Sequence, residues 1–405
     1  ITKILFFHLK KKELCIFENI KDFQKLHMIK LIQIIGARPQ IIKAAAISRV
    51  IQEKYQSNIQ DIIIHTGQHY DENMSQVFMR ELGIPKETYN LHIGSGSHGQ
   101  QTALMIQKIE EILLHENPDA VLVYGDTNST LAAAIAAVKI HIPVIHIEAG
   151  LRSFNKSMPE EINRIMCDHA STILFSPTKT GINNLINEGF SLHQTPPFTI
   201  DNPGVFHCGD IMYDNSLYFS EIASEKNDFY KEFGIQENSF ILTTIHRPSN
   251  TDSQENLTKI CNALIEISKV TNKKIVIPIH PRTKKYLESY DLYQLLDNNK
   301  DIVILPPASF LQMILLEKNC SCVITDSGGV QKEAFYFKKP TIIVRDQTEW
   351  VEIVECGCAV LAKSNEIVEK TIKILDNPPS NYPAFFGDGN AAEFICNVIL
   401  KIIRI

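Results

Sequence analysis

Asp126, Glu148 and Glu160 are carboxylates standing where proton transfer becomes possible. Asp126 and Glu148 each follow a short apolar run, "AVLVYG" and "VIHI", and Glu160 opens the amphipathic stretch "PEEINRIMCDH". Pro159 fits the first position of a helix, which puts Glu160 and Glu161 in its first turn, Arg164 four residues after Glu160, and Asp168 four after Arg164. A capped helix laced with ion pairs would account for that segment alone. It leaves Asp126 and Glu148 without a reason. Three carboxylates at one cleft mouth raise one another's pKa, and a carboxyl group titrating near neutrality can exchange a proton with carbon. Arg164 is the cation expected to hold the cluster in place.

A second group suits an anion. In "TDSGGVQKEA", Ser327, Gly328 and Gly329 lie between the run "CVIT" and a helical segment, so their backbone N–H groups are expected to face a phosphate at the positive end of a helix. Glu333, about one turn farther on, can accept hydrogen bonds from two ribose hydroxyls, and reads equally well as a solvated first-turn carboxylate. Arg38 and Lys43 in "GARPQIIKAA" form a cationic pair at a helix start, suited to a phosphorylated ligand or to a solvated surface. His69, His246, Arg247, His280 and Arg282 also follow apolar runs, where histidines and arginines are otherwise turn or capping residues. The segment "GSGSHG", residues 94 to 99, matches the dinucleotide fingerprint letter by letter. The run before it is short, and no strand-end acid follows about 20 residues later, so no nicotinamide site is expected.

These residues need a scaffold that gathers strand ends. β-Branched runs are expected as strands at 30–35, 61–65, 119–124, 142–147 and 172–176, and again at 239–245, 274–279, 301–305, 321–325 and 340–345, with helical patterns such as "QQTALMIQKIEEILLHE" between them. That alternation predicts an α/β fold of two Rossmann-like, doubly wound domains facing a cleft, whose ligands bind beyond the carboxyl ends of the strands. The proline-rich "SLHQTPPFTIDNPGV" reads as the linker. The expected division is an N-terminal domain over 28–203, a C-terminal nucleotide-binding domain over 204–386, and a closing helix over 387–405 that can pack on either. Residues 1–27 precede Met28 and the first good strand, and are read as upstream read-through or a dispensable arm.

With 405 residues, 44% hydrophobic and 21% charged, the chain has the composition of a globular protein, and a net charge of -6 argues against extended nucleic-acid binding. No apolar run reaches the length of a membrane span. Nine cysteines show no zinc-site spacing and read as reduced core thiols, which points to the cytoplasm.

Taken together, "GARPQIIK", "TGQHYDENM", "VYGDTNSTLA", "HIEAGLRS", "MPEEINR", "HRPSN", "IHPRT" and "TDSGGVQKEA" occur in the order found in the non-hydrolysing UDP-N-acetylglucosamine 2-epimerases, and the chain resembles that family from about Met28 to "GDGN". The resemblance implies the GT-B, glycogen-phosphorylase-like arrangement. It also implies a reaction without metal or nicotinamide: the C2 proton and UDP leave to give a glycal, and both return with the proton on the opposite face. On this resemblance Asp126, Glu148 and Glu160 are the acid/base set, Arg164 orients them, and His246 and Arg38 stabilise the departing diphosphate. Lys43, His280, Ser327, Gly328, Gly329 and Glu333 become UDP contacts, and His69 and Arg247 join the substrate-binding set. The implied partners are a UDP-sugar and a second copy in a homodimer, with no nucleic acid and no membrane, in surface-polysaccharide synthesis.

Two positions depart from the UDP-N-acetylglucosamine pattern. "GARPQ" carries Gln40 where a glutamate is usual, and "TEWVE" carries Trp350, the sole tryptophan, in place of an arginine. Both are similar to a subgroup that epimerises UDP-2,3-diacetamido-2,3-dideoxyglucuronate, and the lost charge at Gln40 is compatible with an anionic sugar. Trp350 reads equally well as a buried anchor. A glycosyltransferase of the same architecture would share the "DSGG" loop and Glu333 without needing the three carboxylates. A non-catalytic UDP-sugar-binding protein would need no acid or base.

Overall fold

Strands built from isoleucine and valine runs are apolar on both faces, so they can only lie inside a sheet covered by helices on each side. The computed structural model describes residues 28–68, 83–224, 230 and 233–403, and arranges these runs in two all-parallel sheets. The expected extension 1–27, His69 and most of "TGQHYDENM" lie outside the described residues.

The first sheet contains β1 (Ile29–Ile35), β2 (Ile59–His65), β3 (Tyr89–Asn90), β4 (Ala120–Tyr124), β5 (Val144–Ile147), β6 (Ile173–Ser176) and β7 (Gly204–His207), in the order β3-β2-β1-β4-β5-β6-β7. Its helices include α1 (Arg38–Val50), α2 (His98–Glu116), α3 (Asn128–Lys139), α4 (Pro159–His169) and α5 (Lys179–Asn187). The second sheet contains β8 (Phe240–Thr244), β9 (Lys274–Pro278), β10 (Ile302–Leu305), β11 (Cys322–Thr325), β12 (Thr341–Ile343) and β13 (Ala359–Leu361), in the order β10-β9-β8-β11-β12-β13. Between the sheets runs α6 (Ile211–Ser224), and the second domain adds α7 (Gln254–Thr271), α8 (Pro281–Ser289), α9 (Phe310–Asn319), α10 (Gly328–Tyr336), α11 (Ile367–Asp376) and the closing α12 (Ala391–Ile402). Strand order reverses between β1 and β4 and between β8 and β11, and each reversal opens a crevice at the strands' carboxyl ends.

All ten expected strands form, and three short ones, β3, β7 and β13, were not anticipated. β7 pairs with β6, Gly204 opposite Ile173, so residues 204–207 close the first sheet rather than opening the second domain. Proline and glycine around it hid a four-residue strand that depends on its neighbour. The "GSGSHG" segment follows β3 at the sheet edge, where Ser97 caps α2 by accepting from the Gln100 N–H at 3.4 Å. That is a helix cap, away from the switch point.

Helix α6 ties the halves together. Asn215 donates to the Ile42 carbonyl of α1 at 2.6 Å, the Arg49 guanidinium lies 3.8 Å from the Tyr218 ring centroid, and Phe219 meets Phe310 of α9 edge-on. A continuous apolar core therefore runs from Ile35 and Phe175 through Phe219 to Phe335, Trp350 and Phe386. The closing α12 lies against the first domain, with Tyr55 donating to Asn397 at 2.9 Å. Asp214 of α6 caps its start by accepting from the Ala391 and Ala392 N–H groups at 3.1 and 2.7 Å.

Candidate active site

Glu148 sits at the end of β5 with φ +74°, a left-handed conformation that non-glycine residues rarely adopt and that surrounding structure must enforce. Its N–H and that of Ala149 both donate to the Phe175 carbonyl, at 3.1 and 3.0 Å. Gly150 follows with φ +80°, where a Cβ would overlap the Gly181 carbonyl, so glycine is required. The Gly150 N–H donates to Asp168 at 3.0 Å, and Asp168 also holds Arg152 at 2.7 Å and the His146 Nδ1 at 2.7 Å. The His146 Nε2 faces the Gly125 carbonyl at 2.8 Å. Both ring nitrogens meet acceptors, so His146 carries both protons; burial opposes that charge, but Cys167 and Asp168 raise its pKa well above the usual histidine value.

The Glu148 carboxylate is nearly enclosed and faces two lysines. Lys43 of α1 contacts one oxygen directly, and Lys332 of α10 lies 3.7 Å from the other. Burial alone would raise its pKa; Lys43 and Lys332 overcome that and pull it down to about 2. This corrects the expectation that the carboxylates push one another up. It also moves Lys43, expected among the UDP contacts, into the acid/base cluster, because its ammonium is spent on Glu148.

Asp126 follows β4 through Gly125, φ +62°, and its carboxylate pairs directly with Arg164 of α4, as expected of an orienting cation. The second partner of Arg164 is Glu161 at 3.1 Å, not Glu160. Glu161 is buried and also accepts from the Ser153 and Phe154 N–H groups at 2.8 and 2.9 Å, so it organises the loop before α4. Glu160 is exposed on the same first turn. Asp168 pairs with His146 and Arg152 rather than with Arg164. Spacings of three and four residues both share a helix face, and tertiary partners made the selection.

In the second domain a buried carboxylate, Asp326, organises the loops. It accepts from the N–H groups of His246 (3.0 Å) and Arg247 (2.9 Å) and from Asn250 at 2.9 Å, while Arg247 Nε donates to its carbonyl at 2.9 Å. The His246 and His280 rings stand 5.5 Å apart. His280 caps α8 by accepting the Arg282 N–H at 3.1 Å, and burial, His246 and Arg282 lower its pKa. Its Nδ1 is therefore committed, leaving Nε2 for a ligand.

The start of α10 departs from expectation at one residue. The Ser327 N–H is spent on the Thr325 hydroxyl at 2.9 Å, so the backbone donors for an anion are Gly328 and Gly329, whose N–H groups have no intrahelical acceptor. A Cβ at Gly328 would overlap the Glu349 carboxylate, itself held by Arg345 at 2.8 Å. Glu333 is half-buried, and beside it Glu317 of α9 is buried with both oxygens lacking any donor partner. Burial, and behind it the neighbouring Glu333, raise the Glu317 pKa well above the carboxylate range. Arg38, at the exposed start of α1, acts on the Glu333 charge across the cleft.

The two departures at positions 40 and 350 are both internal. Gln40 accepts from the Gly36 and Ala37 N–H groups and donates to the Tyr124 carbonyl and Thr130 hydroxyl, at 2.9, 3.1, 2.9 and 2.9 Å. Its amide is consumed by the protein, so its neutrality does not act on a sugar by contact. Trp350 is the buried anchor: Nε1 donates to the Gly328 carbonyl at 2.9 Å and the ring meets Phe386 edge-on. Sequence reasoning missed Lys332, Asp210 and His146 as parts of the site, and set Asp168 beside Arg164 rather than with His146 and Arg152. A histidine inside the apolar run of β5 was the available signal for one of them.

Two facing doubly wound domains, one with Asp126 and Glu148 beyond adjacent strand ends and the other with glycine N–H groups at a helix start near Glu333, define the GT-B class that nucleotide-sugar enzymes use. The model of the UDP-N-acetylglucosamine 2-epimerase family matches residues 52–400, and the chain belongs to that family. A Methanococcus maripaludis protein named UDP-N-acetylglucosamine 2-epimerase homolog is 48% identical, over 92% of this chain and 100% of its own. The UDP-2,3-diacetamido-2,3-dideoxy-D-glucuronate 2-epimerase of Pseudomonas aeruginosa is 46% identical, again over 92% and 100%. The crystal structure of Methanocaldococcus jannaschii UDP-GlcNAc 2-epimerase with UDP-GlcNAc and UDP is 42% identical with a TM-score of 0.77, covering 92% of this chain and 99% of that one. The protein is thus an isomerase.

Proposed function

We propose that the protein interconverts UDP-N-acetylglucosamine and UDP-N-acetylmannosamine by eliminating UDP to a glycal and adding it back. The observation that carries this reading is that Glu148, on the strand next to the one that ends before Asp126, meets Lys332 of α10, the helix whose start carries the anion-seating glycines of the other domain. Glu148, held as a carboxylate, accepts the C2 proton. Asp126 and Glu160 complete the acid/base set, with Asp126 aimed by Arg164. Gly328 and Gly329 seat the diphosphate, Glu333 takes the ribose diol, and His246, Arg247, His280 and Arg38 oppose the charge that grows on departing UDP. His69 is kept as a substrate contact on the family resemblance alone. A closed cleft excludes water, which protects the glycal and strengthens each of these interactions.

A second reading, UDP-2,3-diacetamido-2,3-dideoxyglucuronate as substrate, is favoured by the Pseudomonas aeruginosa relative. Proton NMR in deuterated water decides between them: deuterium at C2 with new N-acetylmannosamine signals is expected from UDP-N-acetylglucosamine. Turnover of the diacetamido-uronate alone would establish the second substrate, and acceptor-dependent sugar transfer without C2 exchange would remove the epimerase reading. Eight free cysteines among the described residues support a reducing compartment, the cytoplasm. Among the described residues no helix is long and apolar enough to cross a membrane. The exposed stripe of Met158, at the N-cap of α4, with Ile162 and Met166 along it supports a homodimer. Surface-polysaccharide synthesis follows from the sugar class.

A further inference from the structure

Lys332 is a charge in an expensive place. Its side chain is 6% exposed, and taking an ammonium out of water costs several kcal/mol unless partners replace the solvent. Three groups do so. Asp210 accepts from Nζ at 2.6 Å, the Trp350 ring centroid lies 4.5 Å from Nζ, and Glu148 lies 3.7 Å away on the far side.

The three partners come from different parts of the molecule. Asp210 precedes hinge helix α6, takes the Met212 N–H on its other oxygen at 2.8 Å, and donates its own N–H to the Phe386 carbonyl at 2.9 Å. Trp350 closes the second domain's last crossover, and Glu148 ends β5 of the first domain. The hydrogen bond to Asp210 would by itself satisfy Lys332. The position of Glu148 means that each of its oxygens faces a different lysine, one from each domain.

We propose that Lys332 is a positioning residue for Glu148, delivering from the second domain, through an Asp210 anchor and a Trp350 cover, the cation that aims the base carboxylate at C2. This rests on the base role proposed above for Glu148. The consequence is that Glu148 is fully held in its ionised, proton-accepting form only when the two domains are assembled around Lys332. The groups that act on Glu148 are Lys43 from α1, His146 from its own strand, Lys332 and Tyr336 from α10, and Cys208 before the hinge helix. Lys332→Met removes one cation from that set and leaves Asp210 without its ammonium. Both changes push the Glu148 midpoint upward, so the acidic limb of the kcat/KM profile moves to higher pH.

Two readouts test this on the full chain. In 13C-glutamate-labelled protein, the Glu148 carboxyl signal is identified by its loss in Glu148→Gln and titrated in the parent and in Lys332→Met. An upward move of about one pH unit or more is expected in Lys332→Met, with Lys332→Arg keeping most of the parent behaviour. UDP affinity, by calorimetry, is expected to change by less than about threefold, since the loss falls on chemistry rather than on binding. Lys332→Met with Asp210→Asn removes the charge left behind, and keeps the test alive should the single variant fold poorly. An unmoved Glu148 titration in a folded variant overturns the proposal, as does loss of UDP binding in parallel with activity. A moved titration beside a fully active Glu148→Gln enzyme would leave the electrostatic link standing and overturn both the base role and the positioning built on it.

Discussion

The strand ends of the two domains solve different problems with different materials. At β4 and β5 the two strand-end carboxylates are fixed by charged side chains in depth: Asp126 by Arg164, Glu148 by two lysines, and the turn between them by His146, Asp168 and Arg152. At β8 and β11 one buried carboxylate, Asp326, collects backbone N–H groups, and the anion seat is made of glycine N–H groups at a helix start. The first arrangement is built for charge that changes during a reaction, so its groups must be aimed and desolvated beforehand. The second suits a ligand that already arrives as an anion and gains charge as it departs, which backbone dipoles aimed at it can serve at less cost.

Substitutions at matched positions can break this contrast. The largest effect is expected from Glu148→Gln, which should lower turnover by about 10² to 10⁴ while leaving UDP affinity near the parent's; loss of both together would place Glu148 in binding instead. Asp168→Asn comes next. It leaves the His146 imidazolium buried without its carboxylate and Arg152 with Glu188 alone, at about 3–5 kcal/mol of stability read by denaturant unfolding. A value near zero would mean that the charge network is not what supports Glu148.

Glycine positions sharpen the same comparison at intermediate size. Gly150→Ala meets backbone, the Gly181 carbonyl, and demands a positive φ, so it is expected to cost stability of about 1–3 kcal/mol and activity together. Gly328→Ala meets the end of the Glu349 side chain, which can swing away. It should fold nearly as well as the parent yet bind UDP poorly. Equal thermal losses in the two variants would contradict the difference drawn between the domains.

The smallest effect concerns the Glu317–Glu333 pair. The Glu317 pKa is raised in the folded state, so the folded protein retains a proton that the unfolded chain releases above about 4.5. Stability therefore declines as pH rises from that value toward the folded midpoint. Glu317→Gln, which is neutral at every pH, is expected to flatten that decline and to match or exceed the parent's Tm near pH 7. An unchanged slope would mean that the proton is shared elsewhere.

Much of this site was legible before any coordinates. The alternation of apolar runs determined two doubly wound domains, because a strand with no polar face has to be buried on both sides. Rules for parallel sheets then determined that Asp126, Glu148, His246, His280 and Ser327 would gather at strand ends. Local pattern also sufficed to dismiss "GSGSHG" and to place Pro159 at a helix start. It could not choose between Glu160 and Glu161 for Arg164, since both lie on its face, nor foresee that Gln40 would be consumed by four internal hydrogen bonds. Lys332 reads in the sequence as an ordinary helix charge. Only the tertiary structure brings it to Asp210, Trp350 and Glu148, because the partner of a buried charge is set by which distant surfaces close around it, and periodicity along the chain carries no record of that.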